Sequence, residues 1–136
     1  MVIAAGADHP LIQKGTITPS DLHGETLILS ENGCSYRVVL ESILTAAGSY
    51  PASILEFSVS AMKQCAISGL GITLLPMIAV FTEITSGQLV NLNWVGPDFN
   101  IFTQIAYHKD KWLSPALSAF FNLTTVMFGP KGKTLT

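Results

Sequence analysis

Between Thr26 and Val80 the chain alternates strand-like and helix-like segments, with turns too short to hold anything else. An apolar run, Thr26 to Ser30, meets the turn Glu31-Asn32-Gly33. Val38, Leu40, Ile43, Leu44 and Ala47 then recur at three- and four-residue steps, which predicts a helix with one buried stripe. Gly48 stops that helix as the residue just past its end, and Pro51 follows. Ile54 to Phe57 reads as a second strand, and Ser58 or Ser60 caps a helix running to about Ala66. Gly69-Leu70-Gly71 turns the chain into a third strand, Ile72 to Leu75, and Pro76 opens a short helix to about Phe81. Parallel neighbours need a crossover, and a helix is the usual one. The expected class is therefore α/β, a mainly parallel sheet with helices on both faces.

The flanks read less regularly. Val2 to Ala5 is β-like, Gly6 breaks it, and Asp8-His9-Pro10 leads away as a turn. Thr18 and Pro19 have the chemistry of an N-cap and a first helical residue, for a single turn ended by Gly24. After Gly87, Leu89 to Trp94 reads as a strand, Pro97 and Asp98 as a loop, and Phe102 to His108 as a further strand. Ser114-Pro115 starts an amphipathic helix carrying Leu117, Phe120, Phe121, Leu123 and Val126. Residues 129–136 read as a flexible tail.

Composition narrows the functional classes. Apolar residues make up 49% and charged residues 12%, where about 25% charged is usual for a globular domain. Part of the surface is thus expected to face a partner or a further lobe. The longest apolar-leaning stretch, Ala79 to Trp94, is interrupted by Thr82, Glu83, Thr85, Ser86, Gly87, Gln88 and Asn91, so no membrane span is expected. The net charge is −2 with no Lys/Arg cluster, so these residues alone are not expected to bind duplex DNA. Cys34 and Cys65 have neither CxxC spacing nor nearby His partners, which argues against a disulfide framework or zinc. With no charged segment and long apolar run after Met1, that points to a reduced, cytoplasmic setting. His9, His23 and His108 are scattered, and no base stands near Ser35 or Cys34; neither a metal, a cofactor nor an enzyme is expected.

Five stretches stand out in order: Ala7-Asp8-His9-Pro10-Leu11; Leu22 with Gly24; Glu31 to Arg37 with the apolar helix ending at Gly48; Ser68-Gly69-Leu70-Gly71-Ile72-Thr73-Leu74-Leu75-Pro76; and Leu89 with Leu92, followed by Ile105 to Lys109 and Leu113 to Ala116. Together they resemble the LysR family of bacterial transcription regulators, over about residues 2 to 125. The resemblance implies a Rossmann-like lobe of a type 2 periplasmic-binding-protein fold, with a small effector bound between two lobes joined by crossover strands. Residues 1–7 would be one crossover strand and 8–99 the second, effector-binding lobe. Residues 100–128 would be the return strand and a helix of the first lobe. Most of that first lobe and an N-terminal winged helix-turn-helix would lie outside these residues, and DNA would be met only through that helix-turn-helix. A homodimer is implied. The alternative is a solute-binding protein of a transport system with the same fold.

The candidate ligand residues are Asn32, Gly33, Cys34, Ser35, Tyr36, Ser58, Ser60, Gly69 and Gly71. Two helix starts, after Asn32 and at Ser58, offer free N–H groups and a positive dipole end, which suits a small anion. The competing reading makes the serines ordinary caps. Gly69 and Gly71 either permit a tight turn or also line the cleft. Arg37 is either an anion clamp or an ion-pair partner of Glu41 one turn on. Cys34 at a helix start invites a redox role. In the resemblance, however, the reactive cysteine of the peroxide-sensing branch falls at Ser35 and its partner near Leu44, which leaves Cys34 as a small cleft residue. Trp94 and Trp112 are expected to pack. Two further expectations are that Val2–Ala5 lies beside Phe102–His108, and that the last helix buries its apolar face by self-association or by folding back.

Overall fold

Alternating side chains on short strands demand cover on both sides, and the chain supplies it with helices. The computed structural model describes residues 1–99, 101 and 105–128. They fall into two units, Met1–Phe102 and Thr103–Thr136. The first holds strands β1 (Val2–Gly6), β2 (Thr26–Leu29), β3 (Ser53–Glu56), β4 (Ile72–Leu75) and β5 (Leu89–Leu92), with helices α1 (Ser35–Ala46), α2 (Val59–Ile67) and α3 (Met77–Thr85). Short 3-10 helices occupy Pro10–Lys14, read from sequence only as a turn, and Pro19–Leu22.

The strands lie in the order β3-β2-β4-β1-β5. β2 is parallel to β3 and β4, while β1 is antiparallel to β4 and β5. Four strands thus run one way and β1 runs against them, so the sheet is mixed but mainly parallel. Alternation sorts the side chains onto two faces. Leu27, Leu29, Ile72, Leu74, Ile3 and Leu92 pack under α1 through Leu40 and Leu44. Ile28, Leu75, Val2 and Leu89 pack under α2 and α3 through Met62, Ala66 and Val80. Burying one such side chain contributes roughly 1.5–3 kcal/mol.

Three local readings need correction. On α1 the buried line is Leu40 and Leu44, with Tyr36 packed one turn earlier, while Val38 and Ala47 are exposed. The three- and four-residue steps had admitted a stripe wider than the one the sheet covers. α3 continues to Thr85, past Phe81, because no breaker intervenes before Gly87 and Glu83 pairs with Lys63 of α2 at 2.6 Å. Finally, Ile105 to His108 form no strand, and Phe102, Thr103 and Gln104 lie outside the described residues. β1 is an inner strand with both edges occupied by β4 and β5. β-like composition without a ladder partner makes no strand.

In the second unit, α4 (Pro115–Phe128) starts where the Ser114 hydroxyl accepts the Leu117 N–H at 3.2 Å. Tyr107 stacks on Phe121 at 4.9 Å. Phe120, Leu123, Val126 and Phe128 are exposed. Residues 129–136, read as a tail, lie outside the described residues.

Two expected outcomes follow from close contacts in the lobe. A Cβ on Gly71 would sit 2.3 Å from the Thr26 carbonyl oxygen, a backbone atom that cannot swing aside. Gly71→Ala should lose about 1–3 kcal/mol in urea unfolding; an unchanged midpoint would contradict the packing described. Asp21 accepts the Thr18 N–H at 2.7 Å and the Thr18 hydroxyl at 2.8 Å, and pairs with Lys14. Hydrogen bonding from Lys14, then from the Thr18 backbone and hydroxyl, lowers its pKa from 3.8 to about 2. A folded-state pKa below the unfolded one gives stability that is complete above the unfolded value. That stability is lost as pH falls from about 4 towards about 2. Asp21→Asn should flatten this acid limb in thermal melts, and a limb equally steep in the variant would contradict the assignment.

Candidate functional site

In a parallel sheet every strand-to-helix turn emerges at the same end, and here that end collects helix starts. β2 leaves the sheet at Leu29 and returns as α1, with Cys34 as its N-cap. The tight turn needs Gly33, whose φ is +87°. The Cys34 N–H reaches Glu31 O at 3.2 Å, and the first helical bond runs from Val38 N–H to Cys34 O at 3.0 Å. The N–H groups of Ser35, Tyr36 and Arg37 precede that bond and have no place in the helical ladder.

β3 is the parallel neighbour of β2, with Glu56 opposite Leu29. The Phe57 N–H donates to Leu29 O at 3.1 Å, so the two strands finish level. Ser58 is the N-cap of α2, and its hydroxyl makes no capping hydrogen bond. The first bond of α2 runs from Met62 N–H to Ser58 O at 2.8 Å, leaving the N–H groups of Val59, Ser60 and Ala61 ahead of it. Asn32, Gly33, Ser35, Ser58 and Ser60 are exposed, and Cys34 and Tyr36 half-buried. The Tyr36 ring packs against the core, so its backbone N–H, not its side chain, is what it offers.

The structure brings seven of the nine candidates to one end of the sheet and leaves two at the other. Gly69 and Gly71 precede β4, and a strand parallel to β2 begins where β2 begins, at the end opposite the helix starts. They are not brought together with the other seven. Gly69, with φ +77°, and Gly71, against Thr26, serve the turn.

Arg37 takes the ion-pair reading: its Nε donates to Glu41 at 2.8 Å. Its Nη1 also donates to Ser30 O at 3.1 Å and Glu56 at 2.9 Å, partners that sequence spacing did not reveal. Lys14, Arg37 and Lys63, the basic residues among 1–99, each stand in an ion pair. Donors at the site are thus backbone N–H groups and neutral side chains. Burial pushes the Cys34 thiol pKa up, but the Ser30 side chain and the N–H groups of Tyr36 and Arg37 outweigh it. The thiol is held below its ordinary value even though Glu31 opposes this. Cys34 and Cys65 are free thiols.

Sequence reading also missed an open pocket of about 510 Å³ lined by Met1, Ile3, Asn91, Leu92, Trp94 and Phe99, among others. No periodicity announces it, because it forms where the start of β1 meets the end of β5. Trp94 stacks on Phe99 at 5.5 Å and donates Nε1–H to Pro97 O at 3.1 Å, so it packs as expected. Among the described residues no group of His, Cys, Asp and Glu could hold a metal, and no helix is long and apolar enough to cross a membrane.

An α/β lobe with helix starts aligned along the strand ends defines a class, the small-ligand-binding modules that seat ligands beyond the carboxyl ends of their strands. The comparison with family models makes this specific: the LysR substrate binding domain matches residues 1–126, and the chain belongs to that family. An uncharacterized HTH-type transcriptional regulator of Bacillus subtilis, YwqM, is 44% identical over 126 residues, covering 93% of this chain and 43% of that protein. The regulator GltR of the same organism is 32% identical over 88% of this chain and 40% of its own length. The chain thus spans less than half the length of these relatives. Among solved structures, the regulatory domain of Synechocystis CcmR in complex with 2-PG superposes with a TM-score of 0.76 at 23% identity, over 96% of this chain and 63% of that one. The effector binding domain of QuiR in complex with shikimate gives 0.71 at 19% identity, over 98% of this chain and 62% of that one. The fold is type 2 periplasmic-binding-protein-like, and the molecule is a LysR-type effector-binding domain. The relatives are transcription regulators, so the transport-protein alternative is not favoured.

Proposed function

We propose that this domain senses a small anion, held by the backbone N–H groups of the Gly33–Ser35 turn and of the Ser58–Ser60 helix start. Residues 8–99 form the effector-binding half of a two-lobed sensor, entered by 1–7 and left by 100–128. Binding shifts an equilibrium between two arrangements of a cytoplasmic homodimer, which meets DNA through a helix-turn-helix outside these residues. The observation that carries this reading is the pair of helix starts that follow adjacent, level strands, one capped by Cys34 and the other by Ser58, whose hydroxyl is not used for capping. Each helix dipole favours negative charge by roughly 0.3–1 kcal/mol, more when partly buried. The ligand of one structural neighbour, QuiR, supports the anion class, since shikimate is a carboxylate near neutral pH.

The test compares small carboxylates with their neutral amides by calorimetry, on wild type and on Ser35→Pro. Ser35 is the first residue of α1, so proline falls where a helix tolerates it and removes only one donor. A carboxylate should bind more tightly than its amide and lose about tenfold in affinity, about 1.4 kcal/mol, in the variant. Equal binding of acid and amide, or an unchanged affinity in Ser35→Pro, would overturn the reading.

A further inference from the structure

We propose that Arg37 is a positioning residue for this site: its guanidinium clips the ends of β2 and β3 to the first turn of α1 and so fixes the two helix starts relative to each other. The proposal rests on the effector reading above. Nε is taken by Glu41 within α1, while Nη1 bridges Ser30 O at the exit of β2 and Glu56 at the exit of β3. Three segments therefore meet on one side chain that is 14% exposed. Besides this clip, the Ser30 side chain at the Cys34 thiol spans the turn. Glu31, Asn32 and Gly33 are exposed, and the turn's own backbone bond is Cys34 N–H to Glu31 O at 3.2 Å.

Stability alone is a poor explanation for the arrangement. The Glu56 side chain is 54% exposed, and exposed ion pairs contribute little. What the fork supplies is geometry: Nε and Nη1 stand at a fixed angle, so that while one is held by Glu41 within α1 the other is aimed at both strand ends, an orientation a lysine ammonium on a flexible stem does not fix. With Nε and Nη1 committed to protein oxygens, Arg37 acts on a ligand through the turn it holds.

Cys34 provides a built-in probe, because its thiol is depressed only while Ser30 and the first N–H groups of α1 stay in place. The measurement is the rate of iodoacetamide alkylation of Cys34 against pH, in a Cys65→Ala background of the 136-residue chain. Arg37→Lys keeps the charge and loses the fork. Glu56→Gln removes a negative charge, whose loss by electrostatics alone could only lower the thiol's midpoint. Loss of positioning should instead raise the midpoint in both variants, towards that of an ordinary thiol. Lys63→Gln, which breaks the α2–α3 pair, should leave it unmoved. A midpoint that falls or stays put in Glu56→Gln, or stays put in Arg37→Lys, would overturn the proposal. No effector enters this experiment, so a failure of the anion reading shows in the carboxylate titration and a failure of the clip shows here.

Discussion

Every feature of the site depends on β2, β3 and β4 running parallel. That single constraint sends each following helix back across a face of the sheet and starts it at the same end. α1 covers one face of the sheet and α2 and α3 the other. The first N–H groups of a helix have no helical partner in any case, though those of Tyr36 and Arg37 face the Cys34 sulfur. A ligand that takes them replaces water and gains the dipole.

Electrostatics then limits what the lobe does by itself. Its basic side chains are neutralised within the fold: Lys14 by Asp21, Lys63 by Glu83, and Arg37 by Glu41 and Glu56. Orientation is therefore supplied by backbone, and backbone is only as precise as the turn that carries it. Gly33 makes the turn geometrically accessible, and the packing of Tyr36, Leu40 and Leu44 on the sheet fixes the axis of the helix behind it.

Much of this was legible in the sequence because its signals are local. Ile72 to Leu75 was read with its observed bounds, and Thr26 to Ser30 and Ile54 to Phe57 to within a residue, since short apolar runs bounded by Gly, Pro or Ser leave little choice. The same turn chemistry placed one helix start within the Asn32–Tyr36 turn and the other at Ser58 or Ser60, where the caps are Cys34 and Ser58. What stayed hidden was long-range. β1 carries the same apolar run whether it is an edge or an inner strand, so its two partners could not be read from Val2 to Ala5. Gly69 and Gly71 look like site glycines until the direction of β4 puts them at the far end. The Glu56 contact of Arg37 spans 19 residues and depends on strands lying level, which no spacing rule encodes. The pocket by Trp94 likewise exists only once β1 and β5 are neighbours.

The anion-binding donors we propose lie at the helix starts of α1 and α2 and nowhere along the opposite end of the sheet. Amide chemical-shift mapping tests this placement directly, titrating the isotope-labelled chain with acetate and, as a neutral control, acetamide. Acetate should move the amides of Ser35, Tyr36, Ser60 and Ala61 in a saturable way that acetamide does not reproduce, with Gly69 and Gly71 unmoved. Equal shifts with both solutes, or saturable acetate shifts confined to residues away from the two helix starts, would contradict it.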